Sequence, residues 1–325
     1  MKRTLPILVA LSCLSSICAH AAERGIERYP EKPIRFIVPF PPGALNDYLG
    51  RLLATRFTEN WGKQMVVDNR AGGSTIIGTE MAAKSPPDGY TLLLCSVALA
   101  VNQTLFPKLP YNTDKDLAFV SMIAATPYLV VVQPSLPVKT LQDLVALAKA
   151  KPGQLNYGST GNGGTSNLMG EMLKTMAKID MVHIPYKGLA PALTDMMGGQ
   201  INVAFGGYST VGELWKSGRV RAIAVTSAKR SPYTPDLPTI AESGYPGYEA
   251  TPWWGLAVAA GTPKPIVAKL NTEVHRIMKS PDVTEQMKSR AIEVWVSTPE
   301  ELAAYYQKEV LRWASVVKTS QIKAE

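Results

Sequence analysis

Three glycine-bearing segments carry the residue types and spacing that suit the capture of an anion. The first is Pro39-Phe40-Pro41-Pro42-Gly43-Ala44-Leu45-Asn46-Asp47. Pro41 and Pro42 stiffen it, Gly43 permits a turn, and Asn46 or Asp47 can cap the helix that follows. The second is Asn69-Arg70-Ala71-Gly72-Gly73-Ser74-Thr75, a glycine-rich turn beside a cation. It lacks the Gly-Lys-Ser/Thr ending of a nucleotide-triphosphate loop, which excludes that chemistry. The third, Tyr157-Gly158-Ser159-Thr160-Gly161-Asn162-Gly163-Gly164-Thr165-Ser166, sets hydroxyls and backbone N–H groups ahead of a helix. Each segment follows a predicted strand and opens a predicted helix. At such places unpaired N–H groups and the helix dipole favour negative charge.

Catalytic groups are sparse. The third segment is not a nucleophile elbow, because G-x-S-x-G needs glycine where Tyr157 stands. His183 ends a predicted strand in Val182-His183-Ile184-Pro185-Tyr186-Lys187-Gly188. His275 lies among Lys and Arg on a predicted helix and reads as a solvated face. A periplasmic hydrolase or lyase would need His183 as its base. No Ser/His/Asp set or carboxylate pair accompanies it, so binding is better supported than catalysis. Cys95, within Leu92-Leu93-Leu94-Cys95, reads as a buried small hydrophobe. No metal site or cofactor is expected.

The elements that must position these loops alternate along the chain. Strand runs at Ile34–Val38, Met65–Val67 and Tyr90–Cys95 are separated by helical runs at Asp47–Asn60 and Ile77–Lys84. The pattern restarts with strands at Leu129–Gln133, Leu155–Tyr157, Met181–Pro185, Ile201–Phe205 and Ala222–Thr226. Helices at Leu141–Ala150, Ser166–Ala177, Ala190–Met197 and Val211–Lys216 fall between them. The last third offers a strand at Trp253–Ala259, helices at Pro265–Lys279 and Pro281–Arg290, a strand at Ile292–Val296 and a long helix from Pro299 capped by Thr298. This grammar predicts an α/β protein with parallel sheets covered by helices. Two such units predict two lobes, 23–126 with 252–325 and 127–251. Two strands cross between them near Thr126-Pro127 and Ala250-Thr251-Pro252 as a hinge.

Residues 1–22 stand apart. Lys2 and Arg3 precede an apolar run, and Ala19-His20-Ala21 supplies the small residues of a cleavage site, which reads as a secretory leader. Removing it takes Cys13 and Cys18, leaving Cys95 unable to form an internal disulfide. The formal charge of +8 falls to about +6 (8 − 2) without Lys2 and Arg3. No tight basic cluster accompanies that charge, so nucleic acid is excluded as a partner, while an anionic ligand is compatible.

A resemblance agrees with this reading. The motifs at 39–47, Asn69-Arg70, Pro87-Asp88-Gly89-Tyr90-Thr91-Leu92-Leu93, Tyr157-Gly158-Ser159, His183-Ile184-Pro185-Tyr186-Lys187-Gly188, Gly198-Gly199-Gln200 and Gly261-Thr262-Pro263 occur in order along the chain. Together they resemble the Bug/TctC family, the substrate-binding proteins of tripartite tricarboxylate transporters. The resemblance implies a two-lobe periplasmic-binding-protein (Venus flytrap) fold with two hinge strands. It implies a small carboxylate ligand and delivery of it to a two-component membrane permease; a sensing module for a membrane receptor would share fold and ligand. A monomer is the default expectation for a cleft protein of this kind. It also implies carboxylate contacts around Pro42, Gly43 and Asp47 and around Ser159, Thr160 and Gly161. The full candidate set is Phe40, Pro42, Gly43, Ala44, Leu45, Asp47, Ser74, Ser159, Thr160, Gly161, Thr165, His183, Gly207 and Tyr208. The family pattern has glycine where Ala44 stands and a small polar residue where Leu45 stands. Its second loop typically runs Asn-Arg-Pro-Gly-Ala-Gly-Gly, where this chain has Asn69 to Thr75. Ala44 and Leu45 add apolar bulk, which predicts a ligand with an apolar or aromatic body and Phe40, Tyr208 and Trp253 or Trp254 as its walls.

Overall fold

Apolar runs rich in Ile, Val and Leu, separated by helical runs, fold into two sheets. The computed structural model describes residues 28–43, 45–320 and 322; the expected leader and Ala44 lie outside the described residues. In chain order the first elements are β1 (Ile34–Val38), α1 (Leu45–Trp61), β2 (Met65–Asn69), α2 (Ile76–Ala83), β3 (Thr91–Ser96), α3 (Ala98–Leu105), α4 (Thr113–Asp116) and β4 (Leu117–Ala125). There follow β5 (Tyr128–Val132), α5 (Leu141–Ala150), β6 (Asn156–Ser159), α6 (Thr165–Ala177), β7 (Val182–Pro185), α7 (Leu189–Met197), β8 (Val203–Gly207), α8 (Tyr208–Lys216) and β9 (Arg221–Val225). The chain ends with β10 (Trp253–Ala259), α9 (Lys264–Met278), α10 (Pro281–Ser289), β11 (Glu293–Val294) and α11 (Pro299–Thr319).

The first sheet has the order β11-β4-β10-β3-β1-β2 and the second β7-β6-β8-β5-β9. Neither is purely parallel, which corrects the sequence expectation. β1, β2 and β3 run parallel, but β10 is antiparallel to both β3 and β4. In the second sheet β5 is antiparallel to β8 and β9. The first strand after each crossover, β5 and β10, enters its sheet at the carboxyl edge and so runs against its neighbours.

Side-chain alternation divides each strand between two cores. Leu93 and Cys95 face one core and Leu92 and Leu94 another; Val130 and Val132 separate in the same way from Leu129 and Val131. One of these cores runs beneath both sheets, joining Leu93 and Val101 to Val130, Tyr157 and Leu173. Trp253, Tyr306 and Trp313 lie in it. Burial pushes the Cys95 thiol up to about 12, so it is inert packing.

α11 packs on α3 and β4 and reaches α6 of the second half. Thr298 caps it by accepting from Glu301 N–H, with Pro299 at the first position. Its buried Glu309 accepts hydrogen bonds from the indoles of Trp253 and Trp313, both at 3.0 Å. Arg312 joins Glu309 to Glu249. His275 is not the solvated face expected: half-buried, its Nε2 donates to the Ser297 carbonyl at 3.0 Å.

The chain passes from Ala125 to Tyr128 between the sheets and returns through 226–252 to Trp253. The two passages are bonded to each other and to the strand ends. Thr126 N–H donates to Pro252 O at 3.0 Å and Ala250 N–H to Thr226 O at 2.9 Å.

Candidate functional site

Strand direction decides where the three loops meet. β1, β2 and β3 are parallel, so their carboxyl ends share one edge. Trp254, at the start of β10, pairs with Ser96 at the end of β3, so the chain returning from the second half enters at that edge. β6, β7 and β8 are likewise parallel, and Tyr128 at the start of β5 pairs with Gly207 at the end of β8. Both carboxyl edges therefore lie on the side of the crossovers. The loops after β1, β2 and β3 open toward those after β6, β7 and β8, the place where open α/β sheets bind ligands.

The first loop is built around Asp47. Its buried carboxylate accepts from Gly43 N–H (3.0 Å), Arg51 Nε (2.9 Å) and Asn69 Nδ2 (2.9 Å). Asn69 Nδ2 also donates to Phe40 O at 3.1 Å. The Arg51 guanidinium, assisted by Gly43 N–H and Asn69, holds Asp47 below the usual carboxylate range, at about 2. Its oxygens are thus committed to shaping the loop. Gly43 adopts φ +90°, a conformation that needs glycine. Pro42 and Gly43 are exposed, whereas Phe40 and Leu45 are half-buried on the core behind α1. Gly78 of α2 lets that helix close on the loop: a Cβ there would stand 2.8 Å from Pro39 Cβ and 2.9 Å from Arg70 O.

The second loop is conformationally strained. Gly72, Gly73, Ser74 and Thr75 all have positive φ, including 52° at Ser74 and 78° at the β-branched Thr75. Ser74 is exposed, and its carbonyl is held by Asn102 Nδ2 at 2.7 Å. One turn further along α3, Leu105 meets the third loop: a Cβ on Gly163 would lie 2.9 Å from Leu105 Cδ2. α3 thus connects the second loop to the third across the two halves.

The third loop satisfies most of its own N–H groups. Thr160 N–H donates to Ser166 Oγ (2.9 Å), Gly161 N–H to Ser159 Oγ (3.1 Å) and Gly163 N–H to Asn167 Oδ1 (3.0 Å). Ser159 has no exposed surface, and its Oγ lies 2.6 Å from His183 Nε2. Thr160 is exposed and Thr165, the first residue of α6, half-exposed; the first-turn N–H groups of Thr165 to Asn167 have no acceptor within the helix. Gly207 caps α8 from a buried position.

The structure brings Phe40, Pro42, Gly43, Leu45 and Asp47 together on one side, and Ser159, Thr160, Gly161, Thr165 and His183 on the other. It places one candidate wall elsewhere. Trp253 is fully buried in the core on Glu309, because strand alternation points it away from its neighbour. The Tyr208 ring lies along its own helix against Gly212, with Lys216 Nζ 5.6 Å from its centre. Trp254 is nearly buried, and its Nε1 donates to Asn46 Oδ1 in the first turn of α1. Ala44 lies outside the described residues. Ser96, Asn102 and Leu105 were not singled out from the sequence. The signal was present in the same strand–turn–helix order, with the Ser96 hydroxyl accepting from Ala98 N–H at 3.3 Å. A separate groove of about 1130 Å³ opens on α4, α9 and α11 and is not lined by these loops.

Comparison with known proteins agrees with this geometry. Residues 49–322 match the model of the tripartite tricarboxylate transporter family receptor. Protein BugT of Bordetella pertussis is 37% identical over 321 residues, covering 98% of each chain. A solved structure of R. palustris Rpa4515 with adipate is 35% identical, with a TM-score of 0.79 over 91% of this chain and 99% of that one. MatC (Rpa3494) from Rhodopseudomonas palustris with bound malate is 29% identical, with a TM-score of 0.75 over 89% and 100%.

Proposed function

Because this chain belongs to the tripartite tricarboxylate transporter receptor family, whose members are periplasmic solute-binding proteins, we propose that it captures a small carboxylate between its two halves and delivers it to a two-component membrane permease. The observation that carries the reading is the convergence of helix starts. α1 opens from one sheet and α6 and α8 from the other, all at the carboxyl edges beside the crossovers. Each contributes first-turn N–H groups and the positive end of its dipole, about 0.3–1 kcal/mol per helix for an anion in water and more once water is excluded. The adipate and malate of the two solved relatives are carboxylates of this kind. Phe40, Leu45 and the exposed Ile77 add apolar surface at the lobe-1 rim, which favours a ligand with an apolar or aromatic body.

In this reading 28–126 with 252–320 form lobe 1 and 127–251 lobe 2. The passages at Thr126-Pro127 and Thr251-Pro252 are the hinge, and the ligand shifts the hinge toward closure by binding the closed form better. The protein acts as a monomer, exported by its leader. No helix among the described residues is long and apolar enough to cross a membrane.

A hydrolase reading draws on the Ser159–His183 pair, whose 2.6 Å separation matches a nucleophile and its base. Ser159 Oγ is enclosed, however, and already accepts Gly161 N–H, so no acyl carbon reaches it. A thermal-shift screen against aliphatic and aromatic mono-, di- and tricarboxylates tests the proposal. A true ligand at a hundredfold excess over its Kd stabilises the fold by about 2.7 kcal/mol, a shift of several degrees. No shift with any carboxylate, in protein shown free of co-purified ligand, refutes it.

A further inference from the structure

We infer that His183 is a positioning residue for ligand binding, acting through the Ser159 hydroxyl on the turn Ser159–Gly161; the inference rests on the binding reading above. Ser159 is fully buried, so its hydroxyl serves the loop and not the ligand directly. Its oxygen accepts Gly161 N–H at 3.1 Å. Its oxygen also lies 3.2 Å from Gly161 O and 2.6 Å from His183 Nε2. The short contact ties the hydroxyl to the imidazole in either tautomer: with Nε2 bare the hydroxyl donates to it, and with Nε2–H the hydroxyl accepts from it and donates to Gly161 O.

His183 is in turn held in place. It sits on the edge strand β7 directly opposite Tyr157 and stacks on the Tyr157 ring, with centres 4.9 Å apart and planes at 26°. The Tyr157 hydroxyl donates to Glu171 (2.6 Å) and accepts from Asn167 Nδ2 (2.8 Å), which fixes the ring from behind. β7 also grips the loop through its backbone, Tyr186 N–H donating to Ser159 O at 3.1 Å. The imidazole therefore sets the direction of the Ser159 hydroxyl. The hydroxyl sets the Gly161 N–H, and Gly161, at φ +112°, accepts Gly164 N–H through its carbonyl. That chain of bonds ends at the first turn of α6, where Thr165 to Asn167 present their N–H groups. His183 thus orients the cradle from beneath it.

The test is a double-mutant cycle with a spectroscopic control. The affinities of wild type, H183A, H183Q, S159A and the H183A/S159A pair are measured for adipate and for benzoate. H183A is expected to weaken binding about tenfold, the effect of one hydrogen bond. H183Q places an amide, which can accept or donate, near the Nε2 position and should stay within about threefold of wild type. The pair should be no weaker than S159A alone. Losses that multiply in the pair, or an H183Q as weak as H183A, would overturn the inference.

A second readout needs no ligand. With His20 in the leader, only His183 and His275 remain, so ¹⁵N-histidine labelling resolves both rings. S159A should move the His183 Nε2 resonance and leave His275 unchanged; an unmoved His183 resonance overturns the inference. If neither adipate nor benzoate binds the wild type, the carboxylate reading loses support while this spectrum still decides the role of His183.

Discussion

The indole of Trp254 donates to the side-chain oxygen of Asn46, which fastens the strand returning from the second half to the first turn of the helix behind the first loop. This bond couples the crossover to the N-terminal end of α1. Trp254→Phe keeps the aromatic body and removes the donor. It should leave the melting temperature within a few degrees and weaken carboxylate binding about threefold to tenfold. Trp254 fluorescence should also change on ligand addition, and that change should vanish in the variant. Calorimetry and fluorescence titration check both outcomes.

Asp47 predicts an acid limit. Its pKa in the fold is about 2, against an ordinary 3.8. The stability it contributes is whole above about pH 4 and is lost as the pH falls toward 2. Asp47→Asn should flatten the melting temperature across that window. At pH 7 it should cost about 1–3 kcal/mol, because Gly43, Arg51 and Asn69 lose a charged acceptor. It should also weaken ligand binding by loosening Gly43. Melting curves from pH 2 to 7 decide this.

Glu309 predicts a structural defect with no direct ligand contact. Burial pushes its pKa up, with Arg312 and the two indoles opposing. Glu309→Ala leaves Trp253 and Trp313 without acceptors and Arg312 with Glu249 alone. The expected cost is roughly 3–5 kcal/mol, seen as a drop of several degrees in the melting temperature. Affinity at low temperature should change little.

Gly78→Ala tests the packing behind the first two loops. The added methyl would meet Pro39 and the Arg70 carbonyl at under 3 Å, and backbone cannot move aside as a side chain can. The variant should lose about 1–3 kcal/mol and bind ligand more weakly, whereas Gly218→Ala, in open space but at φ +72°, should lose stability with affinity unchanged.

Much of the fold was legible because period and punctuation were strong. The boundaries of α5 and β10 fall where their apolar runs begin and end, and Thr140 and Thr298 cap their helices as their side chains predict. β4 carries no clear sequence signal: Leu117–Ala125 is buried almost throughout, so it lacks the alternation that marks a half-buried strand. The reversed direction of β10 between β3 and β4 was equally invisible, since strand polarity comes from where the chain crosses between sheets. At the site, glycine and hydroxyl content marked the loops, but not which groups were already spent. Asp47 reads in the sequence as a ligand-side residue, and the structure adds that Gly43, Arg51 and Asn69 donate to it. Trp253 reads in the sequence as a wall, but one residue of strand phase turns it into the core. Local composition shows which groups are present; only tertiary hydrogen bonding shows which remain available.

The most direct test of the account is calorimetric titration of the leader-free protein with a carboxylate that stabilises it and with the neutral methyl ester of the same molecule. Convergent helix N-termini predict a saturable one-to-one complex with the acid and a loss of at least about tenfold in affinity for the ester. Equal affinity for acid and ester would contradict the claim that these loops recognise a carboxylate.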